Sequence, residues 1–233
     1  MKPFRKHPVA HVCLLCVICA CVISCVDDRH SGYEKFFLAY GTVERVSKQD
    51  LFIVLDDNDT TLQVSESAVS LDFFKEEMRL IVDYSILEEA APGQSFHYRV
   101  RLNQAKEIPT VEIDSSGETL GRDPVTVENY WLARGFLTFK YRVRGTSFKH
   151  AVNLTLLPRA STGDEQNEDI AYLELHHDAL NDPNKEALTE IVSFPLYKVF
   201  PDTVEPVKLR ISYNDAEKEG DKTTVEITYY PRK

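Results

Sequence analysis

Cysteine is confined to the first 25 residues of this 233-residue chain, which has only nine glycines, eleven prolines and a single tryptophan. Because no cysteine follows Cys25, no disulfide can cross-link the rest of the chain, whose domains must depend on packed cores. The low glycine and proline content excludes collagen-like and low-complexity sequences. Hydrophobic residues make up 43% of the chain, enough for such cores and too many for a disordered protein.

Acidic residues are missing from the N-terminal segment. None precedes Asp27, whereas Lys2, Arg5 and Lys6 are basic and residues 12–23 are almost entirely apolar. A basic head before an apolar run shorter than the roughly 20 residues of a spanning helix is typical of an export signal peptide. We therefore expect residues 1–24 to be removed, which leaves 209 residues with 24 basic and 37 acidic side chains, a net charge of −13.

The apolar run ends in Val-Ile-Ser-Cys at residues 22–25, which resembles the lipobox of bacterial lipoproteins. This motif predicts that the sulfur of Cys25 carries diacylglycerol and that Cys25 becomes the mature N-terminus. Residues 18–21 read Ile-Cys-Ala-Cys and also fit the pattern, which leaves Cys21 as the alternative. Polar residues follow Cys25 almost at once, whereas Cys21 lies inside the apolar run, so Cys25 is favoured. Several acyl chains on one cysteine hold a protein stably on a membrane.

Two series of short strands follow a polar tether at residues 25–34. Alternating apolar and polar residues predict five strands in residues 35–113, which suits a small closed barrel. Arg79 falls on the polar side of the fourth of these strands. Residues 114–121 are polar and turn-rich and predict a linker. Residues 122–233 predict about seven strands at the spacing of an immunoglobulin-like β-sandwich, so the predicted fold class is all-β.

Six short stretches of the chain are distinctive. They read AYGTV at 39–43, DPV at 123–125, YWL at 130–132, GFLTFKY at 135–141, KHAVNL at 149–154 and LELHHD at 173–178. Together with the lipobox they resemble the NigD-like lipoproteins of Bacteroidota. The resemblance implies an N-terminal OB-like barrel and a C-terminal β-sandwich. The family takes its name from a bacteriocin operon in which an immunity role was proposed, so the resemblance implies no catalytic residue.

One stretch of the second domain is depleted of acid, because residues 129–163 contain no Asp or Glu. Within it Lys140, Arg142 and Arg144 alternate with apolar residues on one predicted strand, so their side chains share a face. This face is a candidate site for an anionic ligand. The alternative is a solvated face that pairs with acids of neighbouring strands, such as Glu174 or Glu226.

Two triplets match the O-glycosylation sequence of secreted Bacteroidota proteins, in which an acid precedes Thr and a small apolar residue or Thr. They place candidate acceptors at Thr60 and Thr203, both in turn-like segments.

Metal binding has weaker support, since Glu174 and His176 share a strand face but supply only two of the three or four ligands that zinc needs. The acidic residues 164–169 lack the spaced ligands of a calcium-binding loop. We predict no metal and no cofactor.

Hydrolase nucleophile motifs are absent from the sequence, including G-x-S-x-G and S-x-x-K. The negative charge and the export signal argue against nucleic acid as a partner, and the predicted barrel strands offer little beyond Phe52 for stacking on bases. We expect a non-enzymatic lipoprotein of the outer membrane that binds an unknown protein or glycan. Asp27 and Asp28 are similar to signals that place such lipoproteins at the cell surface. The alternatives are a periplasmic accessory of envelope assembly and, with least support, a glycan-active enzyme.

Overall fold

The computed structural model describes residues 35–47, 50–116, 121–147, 149–158, 170–219 and 221–231. Within these residues nearly all regular structure is β-strand, as the sequence predicts. The predicted signal peptide, Cys25 and the tether at residues 25–34 lie outside the described residues. None of the described helices is long and apolar enough to cross a membrane.

Five strands close into a barrel that begins at Phe36. They are β1 (Phe36–Val46), β2 (Leu51–Leu55), β3 (Thr61–Ser67), β4 (Arg79–Glu89) and β5 (Tyr98–Glu107). Their order around the barrel is β1-β2-β3-β5-β4. Every neighbouring pair is antiparallel except β3 and β5. This is the OB-like barrel that the resemblance implies, and a short 3-10 turn at Leu71–Phe73 connects β3 to β4.

Strand β1 pairs with both β2 and β4, and Gly41 lies where its pairing changes from one strand to the other. Residues 36–42 pair with β4 and residues 41–46 pair with β2. A Cβ atom at Gly41 would come within 2.9 Å of both the Ile53 side chain and the Val54 carbonyl oxygen. Glycine is therefore required at this position for β2 to approach β1 closely.

Alternate side chains of these strands fill the barrel. Val43, Ile53, Leu62, Leu80 and Val100 are each at most 1% exposed and belong to one contiguous cluster. Burying an aliphatic side chain of this size stabilises a fold by about 1.5–3 kcal/mol. The one-sided burial explains why a period of two residues in the sequence locates these strands.

Seven further strands of the described chain form a two-sheet sandwich. They are β6 (Thr126–Ala133), β7 (Phe136–Gly145), β8 (Ala151–Leu156), β9 (Ile170–Asp178), β10 (Glu186–Pro195), β11 (Val207–Asn214) and β12 (Lys222–Tyr229). One sheet has the order β10-β7-β6 and the other the order β12-β11-β9-β8, in which β9 and β11 are parallel. The inward residues predicted for β7 are all buried in the shared core: Leu137, Phe139, Tyr141 and Val143.

The chain joins the sandwich immediately after β5. Ser193 of β10 exchanges backbone hydrogen bonds with Pro109 and Val111, both at 2.9 Å. Asp114 does the same with the edge of β8, at 2.9 and 2.8 Å. The strands of the sandwich therefore pair with residues 109–113 and with the start of the predicted linker. Residues 109–113 were predicted to belong to the barrel. Long-range backbone pairing of this kind leaves no signature in local composition.

A buried ion pair of the barrel lies at its interface with the sandwich. The Arg79 guanidinium has no solvent exposure and donates to both carboxylate oxygens of Asp56, each at 2.6 Å. It also donates to Thr42 Oγ1 of the barrel at 2.8 Å and to Thr138 Oγ1 of the sandwich at 3.1 Å. The indole N–H of Trp131, also in the sandwich, donates to Asp56 at 2.7 Å. Both members of the pair belong to the barrel, so the charge-assisted bonds with Thr138 and Trp131 are the ones that connect the two domains.

This interdomain ion pair (Arg79 and Asp56) lies at one end of the β1–β4 ladder. Thr42 pairs with Arg79 and Phe36 pairs with Ser85. At about 3.3 Å per residue, roughly 20 Å of strand separates the ion pair from the open end of the barrel. In the sandwich, Thr138 contacts Arg79 near the start of β7, and the end of β7 lies roughly 20 Å farther along that strand.

Candidate functional site

A cleft of about 550 Å³ opens at the end of β7 remote from the barrel. Strands β7 and β9 and the loop that follows β9 contribute most of its wall. Its lining includes the polar side chains of Asp123, Arg142, Arg144, His177, Asp178, Asp182 and Asn184. The volume lies within the range of sites that hold small molecules or single side chains of a partner.

Two stacked histidines support this wall. The rings of His150 and His177 are 5.0 Å apart, and His150 Nδ1 lies 2.8 Å from His177 Nε2. His150 Nε2 lies 3.1 Å from Asp182 Oδ2, and His177 Nδ1 lies 3.1 Å from the carbonyl oxygen of Pro124. Each of the four ring nitrogens therefore has a partner within hydrogen-bonding distance. We call these three side chains, His150, His177 and Asp182, the His–His–Asp cluster.

Burial disfavours the charged form of His177. Burial and the neighbouring His150 lower the pKa of His177 below its ordinary value of 6.5. Because the carbonyl oxygen of Pro124 can only accept, neutral His177 carries its proton on Nδ1, and its Nε2 accepts from His150 Nδ1.

Asp182 is held by the turn between β7 and β8. Its carboxylate accepts hydrogen bonds from the amides of Thr146 at 2.7 Å and Ser147 at 2.8 Å, and from the Thr146 hydroxyl. These bonds, led by that of the Thr146 hydroxyl, hold the pKa of Asp182 well below its ordinary value of 3.8. Asp182 is therefore ionised at neutral pH and is an acceptor beside His150 Nε2.

The sequence predicts that Lys140, Arg142 and Arg144 share an anion-binding face. All three lie on the outer side of β7, between buried residues. The carboxylate of Glu128 on neighbouring β6 lies 3.1 Å from Lys140 Nζ and 3.2 Å from Arg142. Arg142 also lies 3.3 Å from Glu217. Acids of neighbouring elements thus offset two of the three cations. The two acids expected from the sequence pair elsewhere, Glu174 with Lys222 and Glu226 with Arg210.

Arg144 differs from the other two cations. Its side chain is exposed at the edge of the cleft and donates to Asn184 Oδ1 at 2.8 Å and to the Lys185 carbonyl at 3.0 Å. Both acceptors are neutral, so these bonds orient the guanidinium without cancelling its charge. Of the predicted face, Arg144 is the residue best placed to meet an anionic group in the cleft. Binding of such a group remains a prediction.

The two predicted glycosylation acceptors lie in connecting segments. Thr60 is half-buried between β2 and β3, and Thr203 is half-buried between the short helix Leu196–Val199 and β11. Modification of either residue remains a prediction. Lipidation of Cys25 also remains a prediction, since Cys25 lies outside the described residues.

The residues considered for metal binding do not form a site in the described part of the chain. Glu174 lies 2.6 Å from Lys222. His176 is 3% exposed, and its Nε2 has no hydrogen-bond partner among the described residues. The described residues also include no group of three or more His, Cys, Asp or Glu side chains able to hold a metal ion. The acidic residues 164–169 lie outside them.

Sequence analysis misses the His–His–Asp cluster. One signal was available: His177 alternates with Leu173 and Leu175, which face the core of the sandwich, and a titratable residue on an inward face is worth attention. Nothing local links His150 to Asp182, because the pairing of β8 with β9 and the course of two separate loops bring them together.

The comparisons with known proteins cover both domains. Residues 40–108 match the NigD-like N-terminal OB domain, and residues 108–229 match the NigD-like C-terminal beta sandwich domain. The chain belongs to the NigD-like family. No curated protein matches this NigD-like chain.

Solved structures share the whole NigD-like fold. A NigD-like immunity protein from Bacteroides caccae has a TM-score of 0.63 and 17% identity, over 86% of this chain and 100% of that one. A protein of unknown function from Bacteroides vulgatus has a TM-score of 0.66 and 22% identity, over 84% and 91% of the two chains. A candidate lipoprotein from Bacteroides fragilis has a TM-score of 0.55 and 11% identity, over 84% and 96%. At these identities the likeness shows the fold alone.

Proposed function

We propose that this NigD-like chain is a lipid-anchored protein of the cell envelope that binds a protein or glycan through the sandwich cleft and catalyses no reaction. The anchor rests on the lipobox that ends at Cys25, and a candidate lipoprotein shares the fold. Because a NigD-like immunity protein also shares it, protection against an antimicrobial protein is one version of this binding role.

The His–His–Asp cluster is the observation that carries the proposal. A general base needs a ring nitrogen that can reach the proton of a substrate, and nucleophilic catalysis needs a nucleophile beside that base. All four ring nitrogens of the cluster already have partners, and the chain of hydrogen bonds ends at the backbone carbonyl of Pro124. The cluster instead ties β8, β9 and the Asp182 loop together, which preforms the cleft wall for binding.

The cleft edge offers one cationic group to a partner. Asp123 accepts a hydrogen bond from the Ala179 amide, and Asp178 accepts one from the Leu180 amide, both at 2.8 Å. These amides are neutral, so the bonds orient the two carboxylates without offsetting them, and an anionic group of a partner is expected at Arg144 alone. Arg144 keeps a full positive charge at the cleft edge, and a guanidinium pairs well with the two oxygens of a carboxylate, sulfate or phosphate.

Protease treatment of intact cells tests where the chain presents this cleft. The wild type is compared with Asp27→Ala/Asp28→Ala, and a periplasmic protein is followed as control. Cleavage while the control survives would support a surface protein that meets extracellular partners. Protection until the outer membrane is broken would favour the periplasmic accessory role instead. In parallel, Cys25→Ala should release the protein from the membrane fraction, and retention of this variant would refute the anchor.

A further inference from the structure

Most large apolar side chains that the described chain exposes lie together at the open end of the barrel. Five of the eight belong to the start of β1 and the end of β4: Phe36 at 63% exposure, Phe37 at 37%, Leu38 at 77%, Ile86 at 38% and Leu87 at 44%. The β1–β4 ladder brings them together, since Phe37 pairs with Tyr84 and the two rings stack at 5.5 Å. We call these five residues the apolar rim. Clustering of this kind marks an interaction surface.

The apolar rim lies where the chain enters the barrel. Residues 26–35 separate the predicted lipid-bearing Cys25 from Phe36. A segment of this length spans at most about 40 Å when fully extended. The first barrel residues, which include Phe36 and Leu38, therefore lie within about 40 Å of any membrane that holds Cys25 and can reach its surface.

We infer that the apolar rim rests on the lipid surface in which Cys25 is anchored. The inference depends on the anchor of the proposed function. Aromatic and aliphatic side chains gain free energy on entering the boundary between headgroups and acyl chains. The interdomain ion pair lies at the opposite end of the β1–β4 ladder from the rim, so this contact would direct the sandwich away from the membrane.

The charges and the backbone around the rim define the kind of contact. Glu88 and Glu89 lie beside it, and the expected mature charge is −13, so attraction to anionic lipid does not drive the contact. Residues 36–39 have a ladder partner only on the β4 side among the described strands. Free backbone groups need water, which is present among headgroups and absent from the hydrocarbon core. The rim should therefore bind uncharged lipid at headgroup depth, with little dependence on salt.

The chain itself provides a clean labelling test, because no cysteine follows Cys25 and acylation blocks the thiol of Cys25. Leu38→Cys and Leu87→Cys each place one thiol on the rim. Leu180→Cys is the matched control, since Leu180 is 55% exposed in the loop that follows β9, beside the cleft. Each lipidated variant is labelled with an environment-sensitive dye in phosphatidylcholine vesicles, and nitroxide-labelled lipids serve as quenchers. Trp131 fluorescence confirms that each variant is folded.

The two rim probes should be quenched about twofold or more, as expected at roughly 5–10 Å depth, while the Leu180→Cys probe stays unquenched. Equal, weak quenching of all three probes on vesicle-bound protein would overturn the rim contact and leave the anchor intact. Failure of the protein to float with the vesicles would refute the anchor and with it the inference. Efficient disulfide cross-linking between two Leu38→Cys chains would also overturn it, in favour of a second copy on the rim.

Discussion

Asp56→Ala tests whether the interdomain ion pair governs the stability of this protein. The substitution leaves the Arg79 guanidinium, which has no solvent exposure, without its counter-charge. It also removes the acceptor of the Trp131 indole N–H. Removing one partner of a buried ion pair costs about 3–5 kcal/mol of unfolding free energy. For a chain of this size that corresponds to a fall in melting temperature of about 10 °C.

The only tryptophan of the chain provides the assay. Trp131 lies at the domain interface, with its ring 4.9 Å from that of Tyr40, so its fluorescence should change when the domains separate. Urea unfolding of wild type and Asp56→Ala is followed by this fluorescence and by circular dichroism. The double variant Asp56→Ala/Arg79→Met should recover part of the loss, since it no longer buries an unpaired charge.

Glu88→Ala is the matched control for Asp56→Ala. Glu88 pairs with Arg99 at 2.8 Å, but the two side chains are 60% and 43% exposed. An exposed pair of this kind contributes about 0–1 kcal/mol. A loss below about 1 kcal/mol for Asp56→Ala, comparable to that of the control, would refute the conclusion that the buried pair at the domain interface stabilises the fold.

Three further predictions concern the barrel and the cleft. Gly41→Ala should cost about 1–3 kcal/mol in thermal unfolding, because its Cβ would meet the Val54 carbonyl. Arg144→Glu should weaken calorimetric binding of an acidic peptide at least about tenfold, whereas Lys140→Glu should change it less because Glu128 already offsets Lys140. Below about pH 6.5 the unfolded chain protonates His177, whereas burial lowers the pKa of His177 in the folded chain, so the melting temperature should fall with pH. His177→Asn should flatten that fall.

Local patterns in the sequence predict the strands well. The five strands predicted in residues 35–113 are present as β1 to β5, and the apolar residues that alternate with Lys140, Arg142 and Arg144 on β7 are buried. These successes have one cause: each strand buries one face, so the alternation of apolar and polar residues reports burial directly.

The sequence does not predict which part of the barrel surface the sandwich covers. Alternation places Arg79 on the polar side of β4, and it does lie outside the barrel core. Yet Arg79 is fully buried, because Thr138 and Ser193 of the sandwich cover that part of the barrel surface. A period of two residues distinguishes the two faces of a strand and carries no information about which outer face a second domain covers.

The His–His–Asp cluster shows the same limit at the candidate site. His150 and Asp182 are 32 residues apart and lie on different loops, and His177 lies 27 residues from His150. Their meeting depends on strand register and on two turns, which are tertiary properties. The predicted cations of β7 were accessible to sequence analysis because they share one strand.

Two contacts together determine which way the cleft faces: the interface between the domains and the proposed contact of the apolar rim with the membrane. If the apolar rim orients the barrel on the lipid surface, the sandwich follows only as far as the domain interface is rigid. The bonds of Trp131 and Thr138 to the interdomain ion pair, together with the backbone bonds of Ser193 to residues 109 and 111, hold the sandwich against the barrel. The cleft at the far end of β7 then stays away from the membrane. Asp56→Ala should therefore loosen the orientation of the cleft without releasing the anchor, which separates the role of the interface from that of the lipid.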